Sequence, residues 1–431
     1  MGNQNSREIA ILALISAEKD GDYIESALDK GIDGAGLNAP DRRLCRELAF
    51  GCVRWRRTLD WLIARRTKHA PKPKLAAILR LGLYQLLWLE RVPSHAIVHQ
   101  SVELAKKHGF REQAGFVNAL LRGYDRDRDA TSKELKSLRK SQPAIAWSHP
   151  DWLVERWQRG LGNDDCQRLL EWNNKPARTF ARVNALKTSV PELEKRWGDE
   201  GVEHEVVSGE LPLANLFFAI KSPGAIAELG SFREGFFYLQ DPSTALAPNL
   251  LDPKPGERVL DFCAAPGGKT TLMAQLMGDT GDVTAQDQPE RLGLIRENCA
   301  RLEIQSVKHC VTPKDLESIA AKNSFQRVLV DVPCSNTGVM RRRVDLRWRI
   351  REKELKQMPK RQLQLLKSAA QWVAPGAALV YSTCSIEKTE NEDVVKMFLA
   401  STNQFKLAQQ QVIHPVTHGV DGAFAALLIR Q

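Results

Sequence analysis

From about residue 245 onward the sequence alternates short apolar, β-branched runs with helix-length amphipathic stretches, and this alternation limits the fold more than any other feature. "RVLDFCA" reads as a strand, "APGGKTTLMAQLM" as a turn into a helix and "GDVTAQD" as a strand. "PERLGLIRENCARL" continues as a helix and "QRVLVDVP" as a strand; "RQLQLLKSAAQWV" is a helix, "GAALVYSTC" a strand and "NEDVVKMFLA" a helix. Strands alternating with helices build a parallel, doubly wound sheet of the Rossmann-like α/β class. Such sheets bind ligands beyond the carboxyl ends of their strands, near a topological switch point. The chemically unusual residues all fall at such ends: Asp261, Pro266 to Lys269, Asp287, Asp331 to Cys334, and Ser382 to Ser385.

In "DFCAAPGGKT", small residues and two glycines let the backbone approach a ligand closely, and the following helix offers its amide end. The stretch is neither a P-loop nor a full G-x-G-x-x-G, so it does not announce a pyrophosphate. Asp287 ends the next strand, where an acid takes ribose hydroxyls. A nucleoside without a diphosphate, held by an acid on its ribose, points to S-adenosyl-L-methionine.

Two thiols, Cys334 in "DVPCSNTG" and Cys384 in "YSTCSIEKTENED", stand with polar neighbours at strand ends. Most methyl acceptors need no covalent help, but carbon 5 of a pyrimidine is a poor nucleophile. A thiolate added at carbon 6 makes carbon 5 enamine-like, and a base must later remove its proton. Two cysteines and an acid on neighbouring strand ends meet that need. The thiol must be ionised to attack; the helix amide end expected after Cys384, and nearby cations, would favour the anion. Cys166, Cys299 and Cys310 lack such surroundings and read as buried packing residues.

The rest of the chain reads differently. Residues 1–130 are expected to be all-helical. "APDRRLCRELAFGCVRWRRTLDWLIARRT" has a single long amphipathic pattern, "PKLAAILRLGLYQLLWLERVP" is apolar on most sides and should be central, and "SHAIVHQSVELAKKHG" starts at Ser94 as a cap. Arg54, Arg56, Arg57, Arg65, Arg66 and Lys68 lie near Trp55 and Trp61, either as phosphate and base contacts or as a solvated helix face. "RDRDATSKELKSLRKSQP" looks like a linker, and 145–240 like a small α+β domain facing RNA, leaving 241–431 for the sheet. The length of 431 residues agrees with about three domains.

A net charge of +10 favours polyanionic partners, nucleic acid first. No window is apolar enough to span a membrane. The N-terminus lacks a basic n-region and a cleavage site, and its "MGNQNS" match to a myristoylation pattern stands without a polybasic second signal. Eight scattered cysteines with no C-x-x-C spacing argue against a zinc site and fit a reducing cytoplasm.

"VLDFCAAPGGKTT", "DVPCSNTG" and "YSTCSIEKTENE" together resemble three signature motifs of RNA cytosine-C5 methyltransferases, the NOL1/NOP2/Sun superfamily. "FFYLQDPSTALAPNLL" and "HGVDGAFAALL" are similar to its flanking segments. "LAFGCVRWRRTLDWLI", "LRLGLYQLLWLERVPSHAIVHQSVELAK" and "FVNALLR" resemble the NusB-like RNA-binding domain of its bacterial RsmB/Sun branch. The resemblance covers nearly the whole chain, most weakly 125–175. It implies methylation of 16S ribosomal RNA by a cytoplasmic monomer, with Cys384 as nucleophile and Cys334 for proton removal and product release. Asp331 would meet the cytosine ring or the sulfonium end of the cofactor. The loop Cys263, Ala264, Ala265, Pro266, Gly267, Gly268 and Lys269 would hold the methionine part and Asp287 the ribose. An acid near the adenine is usual in the family; here the nearest is Asp315, displaced by a few residues. A DNA-type enzyme would instead attack with Cys334, a 5-methylcytosine methyltransferase of another RNA would act on transfer RNA or a different ribosomal site, and a non-catalytic, antitermination-like RNA binder would use the helical domain.

Overall fold

The computed structural model describes residues 5–221 and 226–431; most of the Met-Gly pattern lies outside them. The chain forms two compact units: residues 1–175 with Arg343–Arg349, and 176–342 with 350–431. After Arg342 the chain therefore adds seven residues to the first unit before rejoining the second.

The first unit is helical. Its central helix, Pro73–Trp88, buries nearly every residue from Leu75 to Leu86, as an all-round apolar sequence requires. Ile9, Leu28, Leu48, Leu62, Val117 and Leu121 complete a core that also takes in Val344. The expected long helix is two, Ala39–Arg54 and Arg56–Ala64, because the chain turns at Trp55, whose ring packs tilted against Trp88 with centroids 4.8 Å apart. The Ser94–Lys107 helix is preceded by Pro93 in the cap position, with no side-chain cap bond, so Ser94 is its first residue rather than its cap. The expected linker is also a helix, Arg128–Ser141. It buries only Thr131 and Leu138, seven residues apart, and its charged face is tied by Glu134 to Arg65 and by Arg139 stacked on Trp147.

The second unit carries two sheets. A four-stranded antiparallel sheet has the order β2-β3-β1-β4, with β1 Thr179–Val183, β2 His204–Val206, β3 Phe217–Ile220 and β4 Phe237–Leu239. The Val190–Asp199 helix, started by a Ser189/Glu192 capping box, seats Trp197 and Leu193 on it. The larger sheet has the order β10-β11-β9-β8-β5-β6-β7. Its strands are β5 Arg258–Phe262, β6 Asp282–Gln286, β7 Val307–Val311, β8 Phe325–Asp331, β9 Val373–Thr383, β10 Phe405–Ile413 and β11 Ala423–Arg430. β9 through β7 run parallel, as expected; β11 and β10 are antiparallel, so the sheet is mixed. Alternate residues feed two cores: Val328 and Val330 pack with Leu366 and Phe398, while Leu329 packs with Met273 and Leu251.

The two sheets are joined by buried polar contacts. Arg182 of β1 donates to the Gly268 carbonyl at 2.8 Å, to Thr271 Oγ1 at 3.0 Å and to Gln240. Asn184 donates to the carbonyls of Gly235 and Leu302. The small sheet thus fixes the first turn of the helix that follows the glycine loop.

Candidate active site

Pairing of β9 with β8, β8 with β5 and β5 with β6 sets four strand ends side by side; Asp331 faces Ser382, and Phe262 faces Gln286. The residues beyond those ends come from positions more than a hundred apart in sequence. After β5 the chain turns sharply, with Cys263 at φ 77°, and reaches the helix Gly268–Leu276 through Gly267 at φ 100°, a conformation glycine adopts without strain. Ala264 and Cys263 both donate backbone N–H to the Gln286 carbonyl, tying the loop to the end of β6. Asp287, nearly fully buried, accepts from the Ala265 N–H at 2.7 Å and the Gln288 N–H at 2.7 Å.

Beside this loop lies a cavity of about 680 Å³ lined by Phe262, Cys263, Asp287, Pro313, Leu316 and Trp372, among others. Its mixture of apolar walls and one buried, hydrogen-bonded acid suits a nucleoside. Asp315 is not in its lining. The carboxylate is exposed and accepts from Thr312 Oγ1 at 2.8 Å, in the cap of the Pro313–Ile319 helix. The displacement seen in sequence therefore has a structural counterpart: neighbours Pro313, Leu316 and Glu317 face the cavity instead.

Lys269 donates to Asp331 Oδ2 at 2.6 Å, and Ser382 Oγ donates to Asp331 Oδ1 at 2.6 Å. Burial pulls the Lys269 ammonium down, but the charge and hydrogen bond of Asp331, with Cys384 and Asp261, outweigh it, so the group is held above its ordinary value and stays charged. Asp261, buried behind the pair, is pushed up to about 7 by burial, against a hydrogen bond from Thr270. The Cys263 thiol is raised by burial and by Asp287, Asp331 and Asp261, so it stays neutral.

The two sulfurs meet. Cys334 Sγ and Cys384 Sγ are 3.3 Å apart, Cys334 buried and Cys384 half-buried. The hydrogen bond to Cys384, then burial, then the charges of Cys384 and Glu390 hold the Cys334 thiol well above its ordinary value. Cys384 donates to Asn336 Oδ1 at 3.0 Å. The helix expected from Asn391 begins at Glu392; seven residues separate it from Cys384, so a loop, and not a helix amide end, adjoins the sulfur. Sequence reading passed over three residues here. Gly338 donates to the Cys384 carbonyl and accepts from Gly422, and a Cβ on Gly338 would come within 2.5 Å of that carbonyl. Glu390 is fully buried between the two thiol loops. The signal for all three was only their presence in "PCSNTG", "TEN" and "HGVDG".

In the helical unit the arginines near Trp55 are engaged internally: Arg56 with Glu18, Arg57 with Asp151, Arg65 with Glu134 and Arg66 with Asp127.

A mixed sheet of this order, with a glycine loop, a buried acid and a nucleoside-sized cavity at its strand ends, places the unit among Rossmann-like methyltransferases that use S-adenosyl-L-methionine. The family model described as 16S rRNA methyltransferase RsmB/F matches residues 248–429, the NusB family 4–126, and the RsmF/B-like ferredoxin-like domain 149–210. The chain is 36% identical to a probable ribosomal RNA small subunit methyltransferase B of Synechocystis sp., covering 92% of this chain and 89% of the relative. It is 34% identical to the probable enzyme of the same name from Bacillus subtilis, over 94% and 90%. Among solved structures, PH0851 superposes with a TM-score of 0.79 at 28% identity over 99% of both chains. The chain belongs to the ribosomal RNA small subunit methyltransferase B family. Among the described residues no helix is long and apolar enough to cross a membrane.

Proposed function

We propose that this protein methylates carbon 5 of a cytosine in small-subunit (16S) ribosomal RNA, with Cys384 as nucleophile. The observation that carries the proposal is the 3.3 Å approach of two thiols from adjacent strand ends, beside the cofactor cavity. The Cys263–Lys269 loop and Asp287 hold S-adenosyl-L-methionine by its methionine and ribose parts. Bound there, the cofactor supplies an electrophilic methyl group.

The chain's own groups do the rest. The target cytosine is unstacked into the pocket, which costs a few kcal/mol. Asp331, held by Lys269 and Ser382, orients its ring. The Cys384 thiolate adds to carbon 6, and the ring electrons make carbon 5 nucleophilic. While Cys384 carries charge, the proton stays on Cys334. Once Cys384 is a thioether, that charge is gone and the Cys334 thiol becomes more acidic. Once its proton has passed to solvent, the Cys334 thiolate takes the proton from the methylated carbon 5, the carbon 6–sulfur bond breaks, and the Cys384 thiolate is restored. Attack by Cys334, the DNA-enzyme arrangement, is disfavoured because that thiol is the buried one, whereas Cys384 is half-buried. The helical unit and the small sheet hold structured RNA through phosphate contacts, in a cytoplasmic monomer.

Replacing each cysteine tests the assignment. Cys384→Ala should abolish methyl transfer. Cys334→Ala should accumulate a covalent RNA–protein species, seen as a slow-migrating band under denaturing conditions. Appreciable methylation by the first variant, or no adduct with the second, overturns the roles. Mapping 5-methylcytosine in ribosomal RNA with and without the protein identifies the nucleotide.

A further inference from the structure

Between the two thiol loops lies a carboxylate whose side chain is wholly enclosed. Glu390 Oε2 accepts from the backbone N–H of Ser335 at 2.9 Å and from Gln362 Nε2 at 2.9 Å; its Oε1 accepts from Ser385 Oγ at 2.9 Å. Ser335 directly follows Cys334, and Ser385 directly follows Cys384. One side chain therefore grips the residue after each sulfur. Around it Ser385 Oγ lies 3.1 Å from both Ser335 Oγ and Thr337 Oγ1, and the Ile386 N–H donates to Thr337 Oγ1. The Glu390 carbonyl is itself held by the Tyr381 hydroxyl of β9 at 2.5 Å. The sulfurs come from separate loops, so β pairing sets their distance only to the nearest strand end. The last few ångströms are set by this polar cluster.

A buried carboxylate is costly unless each oxygen is satisfied. Here all three donors belong to groups that aim the thiols, or to the helix behind Cys334: Gln362 also donates to the Pro333 carbonyl. To the direct links between the loops, the Gly338 N–H to the Cys384 carbonyl and the Ile386 N–H to Thr337 Oγ1, Glu390 adds a carboxylate that binds the residue after each sulfur.

We propose that Glu390 is a positioning residue for the cysteine pair: its carboxylate, bonded to the residue following each thiol, sets the separation of the two sulfurs. The role rests on the proposed two-cysteine chemistry for its consequence, but its geometry can be tested without RNA or cofactor. Sulfur separation is read by the rate at which diamide converts Cys334 and Cys384 into a disulfide. Two S–H bonds break and one S–S bond forms, while diamide takes up the two electrons and two protons and becomes the hydrazine. The bridged peptide is quantified by mass spectrometry, and the melting temperature of each variant is recorded.

Glu390→Gln keeps the length and can still accept from Ser335 and Gln362 while its amide donates to Ser385 Oγ. Its disulfide should form within about threefold of the wild-type rate. Glu390→Asp keeps the charge, but shortened by one methylene it cannot reach both loops. Its rate should fall tenfold or more with the fold retained. Glu390→Ala should fall at least as far, and its kcat for methylation should drop with little change in the KM for S-adenosyl-L-methionine. Equal rates for Glu390→Asp, Glu390→Gln and wild type overturn the positioning role, as does a Glu390→Gln variant slowed as much as Glu390→Asp. If Glu390→Ala does not fold, the Asp and Gln variants decide alone. Should Cys384→Ala still methylate while these rates behave as expected, the proposed chemistry fails and the positioning role stands.

Discussion

Arg347, fully buried, and Lys269, half-buried, are cations of the two compact units, one in each, and they are satisfied in opposite ways. Arg347 lies in the stretch Arg343–Arg349 that belongs to the helical unit. It donates to the carbonyls of Arg54, Ser148 and Asn173 and to Asn174 Oδ1. These four acceptors are neutral, and burial, with Arg54 nearby, pushes it well below its ordinary value. Lys269 has a carboxylate 2.6 Å away, which holds it charged at a strand end beside a cavity. The five fixed donors of a guanidinium can gather the carbonyl ends of several segments, and that makes an architectural bolt. A lysine paired with one acid concentrates charge at one point, where a reaction can use it.

The sharpest break in this comparison comes from removing each cation. Lys269→Ala should lower methylation roughly 100-fold and cost stability only about 1 kcal/mol, since its pair is partly exposed. Arg347→Ala should do the reverse. It strips donors from three carbonyls and an amide, at about 3 kcal/mol. The protein that remains folded should keep its methylation rate per active site. Denaturant unfolding beside single-turnover assays checks both. A variant in which the two losses are exchanged would dissolve the distinction.

A smaller effect sharpens the catalytic side. Asp261 has a folded pKa of about 7 against an ordinary 3.8. Between those values the folded state holds a proton that the unfolded chain has released, so this group's contribution falls as pH rises from about 4 to about 7 and is level above. Asp261→Asn should remove that slope, and its stability relative to wild type should rise by a few kcal/mol between pH 4 and pH 8. Unfolding measured at both pH values reads it. A variant-to-wild-type difference that does not change with pH contradicts the raised carboxyl.

The smallest expected difference separates two acids expected from sequence to touch the cofactor. Asp287→Ala should weaken cofactor binding about tenfold, as one charged hydrogen-bonding group removed. Asp315→Ala should change it by less than about threefold and, with the Thr312 cap bond to its backbone N–H kept, cost the Pro313–Ile319 helix roughly 0.3–1 kcal/mol of first-turn charge stabilisation. Calorimetric titration of both variants with the cofactor decides.

Much of the catalytic sheet was legible because its signals are local. β5, β6, β8 and β9 are runs with turn residues at their ends, and their thiols and acids sit where a doubly wound sheet exposes them. The remaining three strands escaped. β7 is short and half-exposed, β10 carries glutamines on an edge, and "AFAALLIR" of β11 has too much alanine to declare a strand. Arg343–Arg349 could not be assigned to the helical unit, because its partners lie about 170 to 330 positions away.

The residue pattern alone therefore determined the parallel part of the sheet and the strand ends that carry the glycine loop and the two thiols, since periodicity and turn chemistry act over a few neighbouring positions. Only the tertiary structure decided that those sulfurs are 3.3 Å apart, that one buried glutamate ties both loops, and that Gly338 must be bare so that Gly422 can reach it. Each of these depends on contacts between segments far apart in the chain, and such contacts exist only once strand order and register have closed.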